Sequence, residues 1–142
     1  MKQKINKIFN IVVIDDSKDA LQNYAKIFNG SQHDLKMFCR PSIDQNTKKI
    51  LINYKPNLFI IDLLMGKGHE DGYDTIRELQ EIEPLKEVPI IIVSKFISNT
   101  IKGGKIKEEC ENLPGVVNVY SKYPHYPSLQ DIIMNINIDK NK

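Results

Sequence analysis

Lys55-Pro56-Asn57-Leu58-Phe59-Ile60-Ile61-Asp62 decides the fold of this chain. A continuous apolar run, opened after a proline and closed by a carboxylate, is the pattern of a central parallel strand buried on both faces. At the carboxyl end of such a strand the charge faces the crevice where open α/β sheets place their sites. Three other stretches end the same way. Ile11-Val12-Val13-Ile14 runs into Asp15-Asp16-Ser17, and Val88-Pro89-Ile90-Ile91-Ile92-Val93 ends on Ser94. Val116-Val117-Asn118-Val119-Tyr120 is followed shortly by Lys122. One parallel sheet would gather three carboxylates, a hydroxyl and an amine along a single edge.

The segments between these runs read as helices. Ser17 or Asp16 can cap a helix through about Phe28, with Leu21, Ala25 and Phe28 on one face, and Asn29-Gly30 stops it. A weaker strand spans roughly Asp34 to Phe38. A second helix, about Ile43 to Asn53, turns Ile43, Ile50, Leu51 and Tyr54 inward, and Pro56 separates it from the Asp62 strand. A loop over Gly66 to Asp71 leads to a helix from Gly72 to about Glu83, with Tyr73, Ile76 and Leu79 aligned. A last helix starts near Pro127-Ser128 and buries Leu129, Ile132, Ile133 and Ile136. Between Ser94 and Val116 the pattern is ragged. Gly103-Gly104, at roughly 1 kcal/mol per glycine relative to alanine, predicts a frayed helix or a loop with a helix only from about Lys105. Strand-helix alternation with short links implies right-handed crossovers and a parallel sheet covered on both faces.

Composition narrows the class. The 142 residues suit one domain, 1–142 with a core of about 8–138, and are too few for two. Hydrophobic content of 41% and charged content of 27% are those of an ordinary soluble domain. A net charge of +2 argues for neither nucleic acid nor an anionic membrane as partner. Lys2, Lys4 and Lys7 read as a solvated tail. No apolar run approaches a membrane span, and no signal segment follows Met1. Cys39 and Cys110 fit neither a disulfide framework nor a zinc site, and read as reduced thiols of a cytoplasmic protein.

The residue types at the strand ends point to phosphorus chemistry. An exposed, aimed carboxylate can attack a phosphoryl group when something neutralises the incoming charge. Crowded carboxylates repel one another and favour a divalent cation, and Mg²⁺ takes carboxylates, a carbonyl and waters in an octahedron. An ammonium and a hydroxyl opposite would complete a cradle for phosphoryl oxygens.

With Asp15-Asp16, the Lys55-to-Asp62 run, Met65, Asp71-Gly72, Ser94 and Lys122 in this order and approximate spacing, the chain resembles a response-regulator receiver domain of two-component signalling over nearly its full length. The resemblance implies a flavodoxin-like, doubly wound five-stranded parallel sheet, order 2-1-3-4-5, with helices on both faces. It implies that Asp62 accepts a phosphoryl group from a sensor histidine kinase or a histidine phosphotransfer protein. Asp15, Asp16 and Asp62 would hold Mg²⁺ with the Leu64 backbone carbonyl, and Ser94 and Lys122 would contact the phosphoryl group. The chain departs from the family pattern at several positions. The loop from Gly66 to Glu70 is two residues longer, and Tyr123 separates Lys122 from Pro124 where the family has Lys-Pro. Val119 stands at the aromatic switch position, with Tyr120 one place later. Lys95 replaces a small residue, and the segment from Ser94 to Lys122 is longer.

Other candidates have plainer readings. Ser17 is a helix cap, His69 a solvated loop residue beside the site, and His33 and His125 surface residues. Tyr120 is strand packing or a switch, and Lys95 a surface charge or a modulator of the site. Read as a complete chain, with no DNA-binding or enzymatic domain following, the protein is expected to be a stand-alone phosphoacceptor. It would signal by contact with a downstream protein and turn over no external substrate. The alternative is a pseudo-receiver that binds partners without phosphorylation. A small phosphatase would want Asp-x-Asp at the first strand, where this chain has adjacent Asp15-Asp16.

Overall fold

The computed structural model describes residues 7–39, 43–63, 70–97 and 100–137. Ten elements alternate along it: β1 (Asn10–Ile14), α1 (Lys18–Phe28), β2 (Asp34–Phe38), α2 (Gln45–Tyr54), β3 (Leu58–Ile61), α3 (Glu70–Gln80), β4 (Ile90–Ser94), α4 (Ile101–Glu111), β5 (Val116–Ser121) and α5 (Leu129–Asn137). All neighbouring strands pair in parallel, in the order β2-β1-β3-β4-β5. The doubly wound sheet expected from the sequence is the one observed. Its central strands are apolar throughout because both faces are covered. Leu51 of α2, Ile76 and Leu79 of α3, and Ile106 and Cys110 of α4 pack with Val12, Phe59, Ile61 and Ile92 on one face. Ala20, Tyr24 and Phe28 of α1 and Ile132 and Ile136 of α5 pack with Val13, Ile60 and Val93 on the other.

Local sequence accounts for most boundaries. Ser17 caps α1 by accepting the Ala20 N–H, Asp44 caps α2 by accepting the Thr47 N–H, and both precede their helix in extended backbone. Gly30 takes φ 80° just beyond α1, where a side chain would be strained. Lys55 ends α2 in the left-handed region, before the proline that opens β3.

Four expectations need correcting. The inward stripe of α1 is Ala20, Tyr24 and Phe28, and Ala25 is exposed. In α2, Ile50 is 37% exposed while Thr47 and Leu51 are buried. The third correction is the largest: α4 is a continuous helix through Gly103-Gly104. The glycine pair falls in the first turn, where Thr100 Oγ1 accepts the Gly103 N–H at 3.0 Å and Thr100 O accepts the Gly104 N–H at 2.9 Å. A threonine cap contributes about 1 kcal/mol, and burial of Ile106 and Cys110 adds more, which together offset the glycine penalty. α3 also starts two residues before Gly72 and stops at Gln80.

Candidate functional site

The carboxyl ends of β1, β3, β4 and β5 deliver Asp15, Asp62, Ser94 and Lys122 to one edge of the sheet. Asp15 continues the ladder, its N–H donating to Phe38 O at 3.0 Å, and Asp62 N–H donates to Ile14 O at 3.1 Å, which fixes the two carboxylates beside each other. Lys122 N–H donates to Ser94 O at 3.1 Å, and this joins the ends of β4 and β5. Exposure falls to 1% at Asp15, 4% at Asp62, 0% at Ser94 and 8% at Lys122. Asp16, by contrast, is exposed. Gly72 closes the site from the side of α3: a Cβ there would lie 2.5 Å from Asp62 O and 2.6 Å from Leu63 Cα.

Asp15 is the best-tethered group. Its Oδ1 accepts the Ser17 N–H at 2.9 Å and its Oδ2 accepts Lys122 Nζ at 2.9 Å. Lys122 Nζ also lies 3.7 Å from Asp62 Oδ1, an ion-pair distance, but that oxygen is buried and accepts no hydrogen bond. Burial drives the Asp62 pKa up to about 7, and the Asp15 charge adds to the rise, while Lys122 opposes it. Asp15 is also raised, again mainly by burial, with Lys122 pulling the other way. Burial alone would lower the Lys122 pKa, but Asp62 and Asp15 together outweigh it and hold the ammonium above the usual lysine value. Ser94 Oγ accepts the Phe96 N–H at 3.1 Å, which leaves its own O–H to donate elsewhere.

The donor set fits a hard cation. Oxygens of Asp15, Asp16 and Asp62 all lie within 4.8 Å of one another. Two of these carboxylates, Asp15 and Asp62, share the Lys122 ammonium, and one buried Asp62 oxygen has no hydrogen-bond donor. A divalent ion that takes oxygen ligands answers that deficit. Leu64, Met65, the loop through His69, and the side chains of Glu70 and Asp71 lie outside the described residues.

The structure brings Asp15, Asp16, Asp62, Ser94 and Lys122 together as the sequence suggested. Ser17 is a cap, as read. Lys95 is exposed, and His125 is exposed with Nδ1 3.1 Å from Tyr126 O. His33 is less peripheral than expected: its Nδ1 accepts the Phe9 N–H at 3.0 Å, and its ring stacks on Phe9. Two aromatic residues beside the site escaped the sequence reading. Tyr24 of α1 is fully buried, and Tyr126, from the segment between β5 and α5, meets it edge-on with ring centroids 5.4 Å apart. The i, i+4 stripe of Ala20, Tyr24 and Phe28 was the signal that would have placed Tyr24.

A family model described as the response regulator receiver domain matches residues 11–110. That span contains Asp15, Asp16, Asp62 and Ser94 but stops short of Lys122. No curated protein matches the chain. Among solved structures, the chain is similar to the chemotaxis response regulator CheY4 of Vibrio cholerae, at 11% identity and TM-score 0.67, over 92% of this chain and 98% of that one. It is equally similar in shape to the signal receiver domain of an HD domain-containing protein from Pseudomonas fluorescens Pf-5, at 13% identity and TM-score 0.67, over 92% and 93%. The Mn(2+)-bound form of response regulator Rcp1 matches at 18% identity and TM-score 0.56, over 90% and 88%. At these identities the likeness establishes the fold.

Proposed function

The chain belongs to the response regulator receiver domain family, and on that premise we propose that it takes a phosphoryl group from a histidine kinase or histidine phosphotransfer protein onto Asp62. The observation that carries this reading is the state of Asp62: a buried carboxylate at the end of the central strand, with an oxygen that no donor satisfies, 3.7 Å from an ammonium. A carboxylate that ends a strand for structural reasons is capped by hydrogen bonds, as Asp15 is. Asp62 is held in place and left with a free lone pair.

The chemistry follows from the groups present. An Asp62 oxygen attacks phosphorus, an O–P bond forms, and the N–P bond of the donor phosphohistidine breaks, with the imidazole nitrogen taking the electron pair. Lys122, fixed by Asp15, offers positive charge to the phosphoryl oxygens, and the Ser94 O–H donates to one of them. Mg²⁺, held by Asp15, Asp16 and Asp62, would supply further positive charge and keep Asp62 ionised. The Leu64 carbonyl, outside the described residues, would be a further ligand. The chain modifies itself and is no turnover enzyme. Its output is contact with a downstream protein, and it acts in the cytoplasm. Among the described residues no helix is long and apolar enough to cross a membrane.

Incubation with acetyl phosphate or phosphoramidate and Mg²⁺, followed by intact mass measurement, should add one phosphoryl group, and Asp62→Asn should add none. If the wild-type chain stays unmodified, it is a pseudo-receiver that binds partners by shape alone. Equal labelling of the variant would move the acceptor elsewhere.

A further inference from the structure

Lys122 is buried, and the short hydrogen bond of its ammonium goes to Asp15 at 2.9 Å. An ammonium carries three donors, and removing it from water is expensive unless its surroundings replace the lost hydration. Asp62 stands farther off at 3.7 Å. What faces the rest of the group is Tyr126, whose ring centroid lies 5.7 Å from Nζ and whose hydroxyl also meets the ammonium. That distance is within the range of a cation–π contact, which gains strength when the cation is desolvated. The ring is itself held: the Tyr24 ring meets it at 90°, the edge-to-face arrangement that aromatic pairs prefer. Tyr24 is fully buried in α1, and its hydroxyl makes no hydrogen bond. Its packing is therefore what fixes it.

We propose that Tyr126, braced by Tyr24, is a positioning residue that holds the Lys122 ammonium at the phosphoacceptor site, so that the segment between β5 and α5 sets how well the site accepts a phosphoryl group. The inference rests on Asp62 being the acceptor. A cleft of about 420 Å³ lies beside the ring, lined among others by Asn23, Ile27, Lys122 and Tyr126. If the ring is truncated, water reaches the ammonium through that cleft. Lys122 then becomes hydrated and mobile, and its charge is no longer presented at one place. The sequence Tyr123-Pro124-His125-Tyr126-Pro127 is what puts an aromatic ring there.

The test compares Tyr126→Phe, which keeps the ring, with Tyr126→Leu, which keeps the bulk and loses the π face. With phosphoramidate and saturating Mg²⁺, the rate of phosphoryl addition should fall about twofold in Tyr126→Phe, which loses the hydroxyl contact and keeps the ring. It should fall about tenfold in Tyr126→Leu, a loss of the size a desolvated ring–cation contact supports. Tyr24→Leu should move the rate the same way, and the double variant Tyr24→Leu/Tyr126→Leu should cost little more than Tyr126→Leu alone. A second readout needs no phosphorylation: the ring should shift the Lys122 ε-methylene protons upfield in NMR spectra of unmodified protein, and the shift should persist in Tyr126→Phe and vanish in Tyr126→Leu. Unshifted ε protons in the wild type would overturn the proposal, and so would a wild-type rate in a folded Tyr126→Leu. Shifted protons in a chain that accepts no phosphoryl group would instead uphold the contact and remove the Asp62 reading beneath it.

Discussion

Asp62→Asn should make the metal-free protein more stable. The carboxylate is 4% exposed, and its pKa stands at about 7 against 3.8 for the free side chain, chiefly because burial disfavours the charge. The folded chain thus binds this proton more tightly than the unfolded chain. Stability from this group falls as pH rises from 3.8 toward 7 and is flat above it. At about 1.4 kcal/mol per pH unit, the ionised form costs the fold on the order of 4 kcal/mol at most. Asparagine keeps the shape and discards the charge, but its amide is also desolvated, so the gain should be about 2 kcal/mol at pH 8 and under about 1 kcal/mol at pH 5. The chain has no tryptophan, so urea unfolding in chelator is best followed by far-UV circular dichroism. With a typical m-value, that gain moves the midpoint upward by about 1 M at pH 8. Saturating Mg²⁺ should narrow or reverse the difference, because the ion stabilises only a fold that carries the carboxylate. A variant no more stable than wild type at pH 8, or a gain equal at both pH values, would refute the reasoning: Asp62 would then be neither strained by burial nor held short of a counter-charge.

Three further outcomes follow from particular contacts. Asp16→Asn, at an exposed position that would add a ligand oxygen without packing, should weaken Mg²⁺ binding about tenfold or more in a calorimetric titration while leaving Tm nearly unchanged. Gly72→Ala should cost roughly 2–3 kcal/mol in urea unfolding and slow phosphorylation, since its Cβ would meet Asp62 O and Leu63 Cα at 2.5 and 2.6 Å and push the acceptor strand. Thr100→Ala should cost about 1 kcal/mol and raise hydrogen exchange selectively in α4, where the glycine pair leans on that cap.

What the sequence disclosed, it disclosed through periodicity and termination. The runs that end on Asp15, Asp62 and Ser94 are short continuous apolar segments, and the one before Lys122 is broken only by Asn118 and Ser121, a pattern that suits strands of a covered parallel sheet. Once the strands are parallel, their carboxyl ends share an edge, so the clustering of the five polar residues required no further information. The helices were less legible, because the choice of inward face depends on tertiary contacts. Ala25 and Tyr24 are neighbours in sequence, and the stripe through Leu21, Ala25 and Phe28 was as regular as the one through Ala20, Tyr24 and Phe28. The glycine pair in α4 misled for a related reason. Propensity counts residues one at a time, whereas the Thr100 side chain satisfies the Gly103 N–H that the first turn leaves open.

Strand register is the least visible of these signals, and at β5 it decides how a change at the site can spread. Ile90 pairs with Val116 and Ile91 with Asn118, so Val117 is an extra residue in the ladder. A single inserted residue moves every later side chain to the opposite face. Without it Tyr120 would pair with Ser94 and face α4. With it Tyr120 pairs with Val93 and faces α5, where its hydroxyl accepts from Asn118 Nδ2 and Asn135 Nδ2, both at 3.2 Å. Val119 takes the place toward α4, packed with Ile97, Ile106 and Cys110. The ring that could have followed Ser94 is therefore tied to α5, and what faces α4 is an aliphatic side chain with no polar handle. Between Ser94 and α4, therefore, the β5 side chain offers apolar packing and no polar link. Lys122, by contrast, is joined to α1 and the segment before α5 by the contacts with Tyr126 and Tyr24. The bulge at Val117 thus puts the polar and aromatic contacts of this part of β5 on the α1–α5 side of the sheet and leaves the α4 side aliphatic.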